Sequence, residues 1–226
     1  MPNKERAMLS RITRVFATVF CLSMVVPAEA TLMSRLGGQA AWDDELDITW
    51  LTDADLSGVG TWQDQLDWVA GLNTATYLGF DDWRLASMSV SAGLPTGTKA
   101  SVVNCSSATT TEAQCKDNEL GYMFYYNLGG SLFDNLTGNQ TVGDVTLTDI
   151  KSFYWSGTEF DSLVAWRFRF DRGVQFNVRK DDRNFNYYGW AVRAGDVAAV
   201  PEPPMVWLLA TGLLGLLGIR CRQRRR

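Results

Sequence analysis

The sequence predicts an α+β domain, on three observations: strand-like runs of four to six residues, two segments with helical apolar spacing, and glycine-rich turns between them. No internal repeat appears. In chain order, Gln39–Trp42 and Leu46–Leu51 flank the acidic turn Asp43-Asp44-Glu45, and Leu46, Ile48 and Trp50 alternate, so this segment predicts an opening hairpin. Thr61 followed by Asp64 is a capping box with a shortened acid. Trp62, Leu66, Val69 and Ala70 then share one face, predicting an amphipathic helix over 62–72 whose tryptophans belong to the core.

A second helix is predicted over 118–128, capped by Asp117 and ended by Gly129-Gly130. Leu120, Met123, Phe124 and Leu128 should face inward, leaving Tyr122, Tyr125 and Tyr126 partly toward solvent. Strands are expected at Ser152–Ser156, Ala165–Phe170, Val174–Arg179 and Tyr188–Arg193.

The two ends read differently from the middle. Residues 1–30 combine basic Lys4, Arg6, Arg11 and Arg14, an apolar run from Val15 to Val26 and the small-residue site Ala28-Glu29-Ala30, the parts of a secretory signal peptide cleaved after Ala30. About 12 apolar residues are too few to span a hydrocarbon core. At the other end, Pro201-Glu202-Pro203 precedes the apolar stretch Met205–Ile219 and a tail holding Arg220, Arg222, Arg224, Arg225 and Arg226. Those arginines favour the cytoplasmic side. As a helix the stretch rises only about 22 Å, which suits a temporary membrane anchor.

This order of motif, apolar run and basic end resembles the PEP-CTERM sorting signal of Gram-negative bacteria that make exopolysaccharide. The resemblance implies recognition by an exosortase, processing near Pro201-Glu202-Pro203, and delivery to the cell envelope, cell surface or extracellular matrix. The expected organisation is a signal peptide over 1–30, one domain over 31–199 and the sorting signal over 200–226.

Composition narrows what the domain does. Residues 31–204 hold 12 basic and 23 acidic side chains, a net charge of −11 against −4 for the whole chain, which argues against nucleic acid as a partner. Cys105 and Cys115 remain once Cys21 and Cys221 are set aside with the two ends, and in an oxidising compartment they are expected to form a disulfide. There is no histidine, which removes the commonest general base and most transition-metal sites, so no enzyme is expected. The acidic pairs Asp43-Asp44, Asp81-Asp82 and Asp181-Asp182 are read as solvated turns.

Asp82-Trp83-Arg84-Leu85, Phe153-Tyr154-Trp155-Ser156-Gly157-Thr158-Glu159, Trp166-Arg167-Phe168 and Trp190-Ala191-Val192-Arg193 come in an order and spacing similar to the Lcl C-terminal domain family. The resemblance covers residues 38–196. It implies a domain like C-type lectins and the formylglycine-generating enzyme, with short strands, two helices and long loops. Two departures matter: Ala86 stands where the family has proline, and Ser87–Cys115 looks inserted. The lectin-type Glu-Pro-Asn calcium motif is absent, and the two cysteines lie too close in sequence to carry over the enzyme's reactive pair.

For a binding face, a three-residue loop Asp171-Arg172-Gly173 predicts pairing of Phe170 with Val174, Phe168 with Phe176 and Trp166 with Val178. Arg167, Arg169, Gln175, Asn177 and Arg179 would then share the opposite face, near Arg183 and Tyr187, as a surface of planar donors for acidic or hydroxyl-rich polysaccharide. Residues 163–193 carry a net +4, against −15 for the rest of the exported part. A solvated outer sheet face is the plainer reading. Asp53, Asp55, Ser57 and Asp64 mimic the ligand spacing of a calcium loop, against the plainer reading of a surface turn; no other cofactor is expected. The expectation is a non-catalytic polysaccharide-binding module. A purely structural matrix protein with protein partners comes second and an enzyme on the formylglycine-generating-enzyme fold third.

Overall fold

The computed structural model describes residues 32–89, 98–181 and 186–197. The signal peptide with its Ala28 and Ala30, the sorting motif Pro201-Glu202-Pro203, the short apolar segment and Arg183 lie outside the described residues. Among the described residues, no helix is long and apolar enough to cross a membrane.

The architecture is α+β, mostly sheet with few helices. Strands β1 (Leu32–Arg35), β2 (Ala40–Asp43) and β3 (Ile48–Leu51) form a meander. Helix α1 (Trp62–Thr74) and the short strand β4 (Arg84–Leu85) follow. Next come one-turn helices α2 (Glu112–Cys115) and α3 (Glu119–Tyr122), the latter running into a wide turn at Met123–Asn127. The chain then forms β5 (Gly138–Val142), β6 (Val145–Ile150), β7 (Phe153–Glu159), β8 (Val164–Arg169), β9 (Val174–Arg179), β10 (Tyr188–Gly189) and β11 (Ala191–Ala194). One sheet has the order β1-β2-β3-β11-β4, a second β10-β7-β8-β9, and β5-β6 stand as a hairpin.

Helix α1 begins where Thr61 and Asp64 satisfy each other's backbone donors in a capping box. Its buried positions are Trp62, Gln65, Val69 and Leu72, so the inward stripe is rotated from the predicted one and Ala70 faces out. Gln65 goes inside because its Nε2 donates to the carbonyls of Gly58 and Tyr187. The cap of α3 is Asn118 rather than Asp117: its Oδ1 accepts from Gly121 N at 2.9 Å. Tyr122 is fully buried rather than partly exposed, with its hydroxyl held by Glu112 at 2.7 Å, so the polar end needs no solvent.

The expected strand over Tyr188–Arg193 divides at Trp190. Tyr188 and Gly189 pair in parallel with Tyr154 and Trp155, whereas Ala191–Ala194 joins β3 and β4 in the other sheet. Trp190 lies at this crossing, fully buried, with its Nε1 donating to Leu51 O and its ring 5.1 Å from Trp50 and 5.3 Å from Tyr154. The main core therefore joins the two sheets through Trp50, Tyr154, Phe168, Phe170 and Trp190, with Phe124 supplied by the wide turn.

The Asp82-Trp83-Arg84-Leu85 segment is a structural clamp. Asn73 holds both the N–H and the carbonyl of Trp83, and Asp82 pairs with Arg193. Asp43 is buried rather than solvated, because the turn after β2 folds Glu45 N, Leu46 N and the Asn127 amide onto its carboxylate. Cys105 and Cys115 are disulfide-bonded and packed against Tyr122.

Candidate functional site

The second sheet has two unlike faces, and the pairing of β8 with β9 decides which side chains share each. Arg167 lies opposite Phe176, Phe168 opposite Gln175 and Arg169 opposite Val174. The predicted register is therefore off by one residue. Phe170 is the cause: it is drawn into the core with its N–H on Ser152 O and its carbonyl taking Leu136 N, so it joins the turn instead of facing Val174. Gly173, at φ +65°, then closes a four-residue connection by donating to Arg169 O at 2.8 Å.

One residue of slip moves side chains to the other face. Arg167 and Arg169 remain together on the outer face, but Gln175, Asn177 and Arg179 do not join them. Gln175 instead lies opposite buried Phe168, where its Oε1 accepts from Asn118 Nδ2 at 2.8 Å. Asn177 lies opposite Trp166, and Arg179 is an exposed group forked onto Asp181.

What the two arginines meet is a wall of aromatic rings. Phe153 lies opposite Arg169 and Trp155 opposite Arg167 across β7 and β8. Tyr187 is fixed by reciprocal backbone hydrogen bonds with Gly60, and its ring stacks on Phe153 at 5.1 Å between centroids. Trp62 and Leu66 of α1 pack with Trp155, Ala165 and Tyr187. The Arg167 guanidinium carbon is 4.9 Å from the Phe153 centroid, 4.9 Å from Tyr187 and 5.6 Å from Phe176. These are cation–π distances.

The two arginines differ electrostatically. Arg169 forks onto Asp171, with Nε to Oδ1 at 2.9 Å and Nη2 to Oδ2 at 2.6 Å, so the pair is locally neutral. That contact raises the affinity of Arg169 for its proton and lowers the pKa of Asp171. Arg167 is half-buried, and its Nε and Nη1 are covered and have no hydrogen-bond partner among the described residues. Burial pulls its pKa down and neighbouring Arg169 adds to that, while Tyr187 and Asp171 pull the other way. The site is thus a guanidinium walled by rings and, among the described residues, bonded to no carboxylate. Phe153 and Phe176 were missing from the predicted face because their inclusion depends on the register, which alternation alone does not fix.

The four calcium-loop candidates are each engaged in contacts within the chain. Asp64 Oδ2 takes the N–H and hydroxyl of Thr61 in the helix cap. Asp55 pairs with Lys151, Asp53 Oδ1 accepts from Asp55 N, and Ser57 Oγ accepts from Gly189 N. Among the described residues, no three His, Cys, Asp or Glu side chains gather as a metal-binding group.

Residues 199–225 match the family model of the PEP-CTERM protein-sorting motif. That motif marks an exported protein, recognised by an exosortase and directed to the cell envelope or surface. No curated protein and no solved structure matches the chain.

Proposed function

We propose that this exosortase-sorted protein carries a lectin-like domain of the Lcl type, serving the envelope or matrix as a non-catalytic polysaccharide-binding module, with the Arg167 face as its binding surface. The observation that carries this reading is the guanidinium of Arg167, whose Nε and Nη1 have no hydrogen-bond partner among the described residues. Arg35, Arg84, Arg169, Arg179 and Arg193 each hold a carboxylate; Arg172 is exposed, whereas Arg167 is half-buried and surrounded by Phe153, Tyr187 and Phe176. Buried polar groups are normally satisfied, and an unsatisfied arginine beside aromatic rings suits a sugar ligand that brings both an acceptor and an apolar ring face. The absence of histidine supports a non-catalytic role.

The test is retention on the producing cell's own exopolysaccharide, comparing the unmodified chain with Arg167→Ala/Arg169→Ala. Loss of retention in the variant is expected, and equal retention would reject this face. A structural protein with protein partners is the second reading, favoured by the exposed Phe133, Leu163 and Val59. It gains if the chain captures matrix protein and no polysaccharide.

A further inference from the structure

We propose that two copies of this chain join through β9, edge to edge about a two-fold axis at Phe176, so that their two β10-β7-β8-β9 sheets become one. The order of side chains along the strand points there first. Val174-Gln175-Phe176-Asn177-Val178 runs apolar, amide, aromatic, amide, apolar, the same chemistry from either end. Antiparallel strands centred on Phe176 therefore set like against like: Phe176 faces its own counterpart, Val174 faces the second copy's Val178, and Gln175 faces its Asn177. None of these five side chains is charged, so no like charges oppose one another.

The backbone of β9 is open at the matching places. It is the outermost strand of its sheet, and its six residues pair with β8 without a bulge. Lys180 N donates to Leu163 O one step beyond that ladder. Bonded pairs alternate in an antiparallel ladder, so Val174, Phe176 and Val178 turn their backbone groups to β8, whereas Gln175 and Asn177 turn theirs outward. Those outward groups have no hydrogen-bond partner among the described residues. Pairing about Phe176 lets each Gln175 exchange backbone hydrogen bonds with the second copy's Asn177. It also covers the Phe176 ring, which is 49 % exposed. The other edges of the two large sheets are shorter: β4 and β10 have two residues each, and β1 has four, with Ser34 N held by Asp144 Oδ1. Between Val174 and Val178 there is no lysine, proline or bulge of the kind that blocks an edge.

The test is disulfide trapping in the full-length chain in mild detergent, with Cys21→Ser and Cys221→Ser removing the cysteines outside the Cys105–Cys115 bridge. Opposite residues that share no backbone bonds lie about 4.5 Å apart between Cα atoms, within reach of a disulfide. Phe176→Cys should therefore link to its own counterpart on oxidation. Val174→Cys mixed with Val178→Cys should form the mixed dimer, and each alone should link at least about tenfold less, because its own counterpart is then out of reach. This second experiment keeps the Phe176 ring. Asn177→Pro removes an outward N–H and no bond to β8, so the thermal melt should stay close to the parent while sedimentation shows monomer in place of dimer. A monomeric parent, or links that ignore this register, overturns the proposal. A dimer that persists in folded Asn177→Pro puts the contact elsewhere on the chain and overturns it too. Should Asn177→Pro fail to fold, trapping between Val174→Cys and Val178→Cys decides alone. Polysaccharide is absent from every readout, so the outcome is separate from the binding reading.

Discussion

Arg84 and Glu119 form a two-point fork inside the protein, with Nη1 on Oε2 at 2.7 Å and Nη2 on Oε1 at 2.5 Å, and Glu119 is only 1 % exposed. The same carboxylate accepts Ser87 N at 2.6 Å, while Glu119 N donates to Ser87 O. This fork ties β4, and through it the first sheet, to the start of α3.

Removing one member strands the other charge in the interior. Glu119→Ala should cost about 3–5 kcal/mol, the usual penalty for a broken buried pair. The double variant Arg84→Met/Glu119→Leu should recover a large part of that loss, since it leaves no unpaired charge. Urea midpoints for the three proteins measure the difference. A single variant within about 1 kcal/mol of the parent would show that the fork contributes little.

The disulfide closes a short loop, with Cys105 and Cys115 ten residues apart in sequence. Restricting an unfolded loop of this size should contribute about 2–3 kcal/mol. Cys105→Ala/Cys115→Ala should lower the melting temperature and leave binding at Arg167 unchanged, because the bridge packs with Tyr122, Tyr125 and Tyr126 rather than with the Phe153–Tyr187 wall. Thermal melts and a polysaccharide titration on the same sample check both halves.

Elements whose pattern is local were legible in the sequence. The cap at Thr61 and Asp64 announces α1, and Val174–Arg179 has the bounds its composition suggests. The features that were not legible depend on distant partners. The β8–β9 register follows from Phe170 being held by Ser152 and Leu136, and the burial of Asp43 follows from Asn127, 84 residues away. The split at Trp190 likewise needs two sheets to be present at once. For the site, Arg167 and Arg169 were readable as a pair, but their aromatic neighbours were not.

Acid should weaken the Arg169–Asp171 link. Its hydrogen bonds from Arg169 hold the Asp171 carboxyl below the ordinary aspartate range. A group with a depressed folded pKa adds stability above its unfolded pKa of about 3.9 and loses it as pH falls through the folded value. The melting temperature should therefore fall more steeply below pH 4 in the parent than in Asp171→Asn. Parallel curves would show that the exposed part of the pair is screened into insignificance.

Asp43 should have the opposite sign. Burial pushes its pKa up, more than the hydrogen bonds from Asn127, Leu46 and Glu45 pull it down. The folded protein then takes up this proton before the unfolded chain does as pH falls. The charged group costs stability at neutral pH, and that cost fades in the window above the unfolded pKa. Asn127 suggests how to remove the charge without losing the contacts. Its Nδ2 donates to Asp43 Oδ2 at 2.6 Å, but its own Oδ1 is buried without a partner among the described residues. In Asp43→Asn, the side-chain oxygen can still accept Glu45 N and Leu46 N, and once the Asn127 amide turns over the new amide can donate to Asn127 Oδ1 in place of the present Nδ2 bond. Stability at pH 7 should stay within about 1 kcal/mol of the parent, whereas Asp43→Ala, which strands three donors, should cost about 3 kcal/mol or more. Urea denaturation at pH 7 and pH 5 separates the two variants. The asparagine protein should lose the part of the pH response that Asp43 supplies, and an asparagine variant as unstable as the alanine one would mean that the charge itself holds the turn.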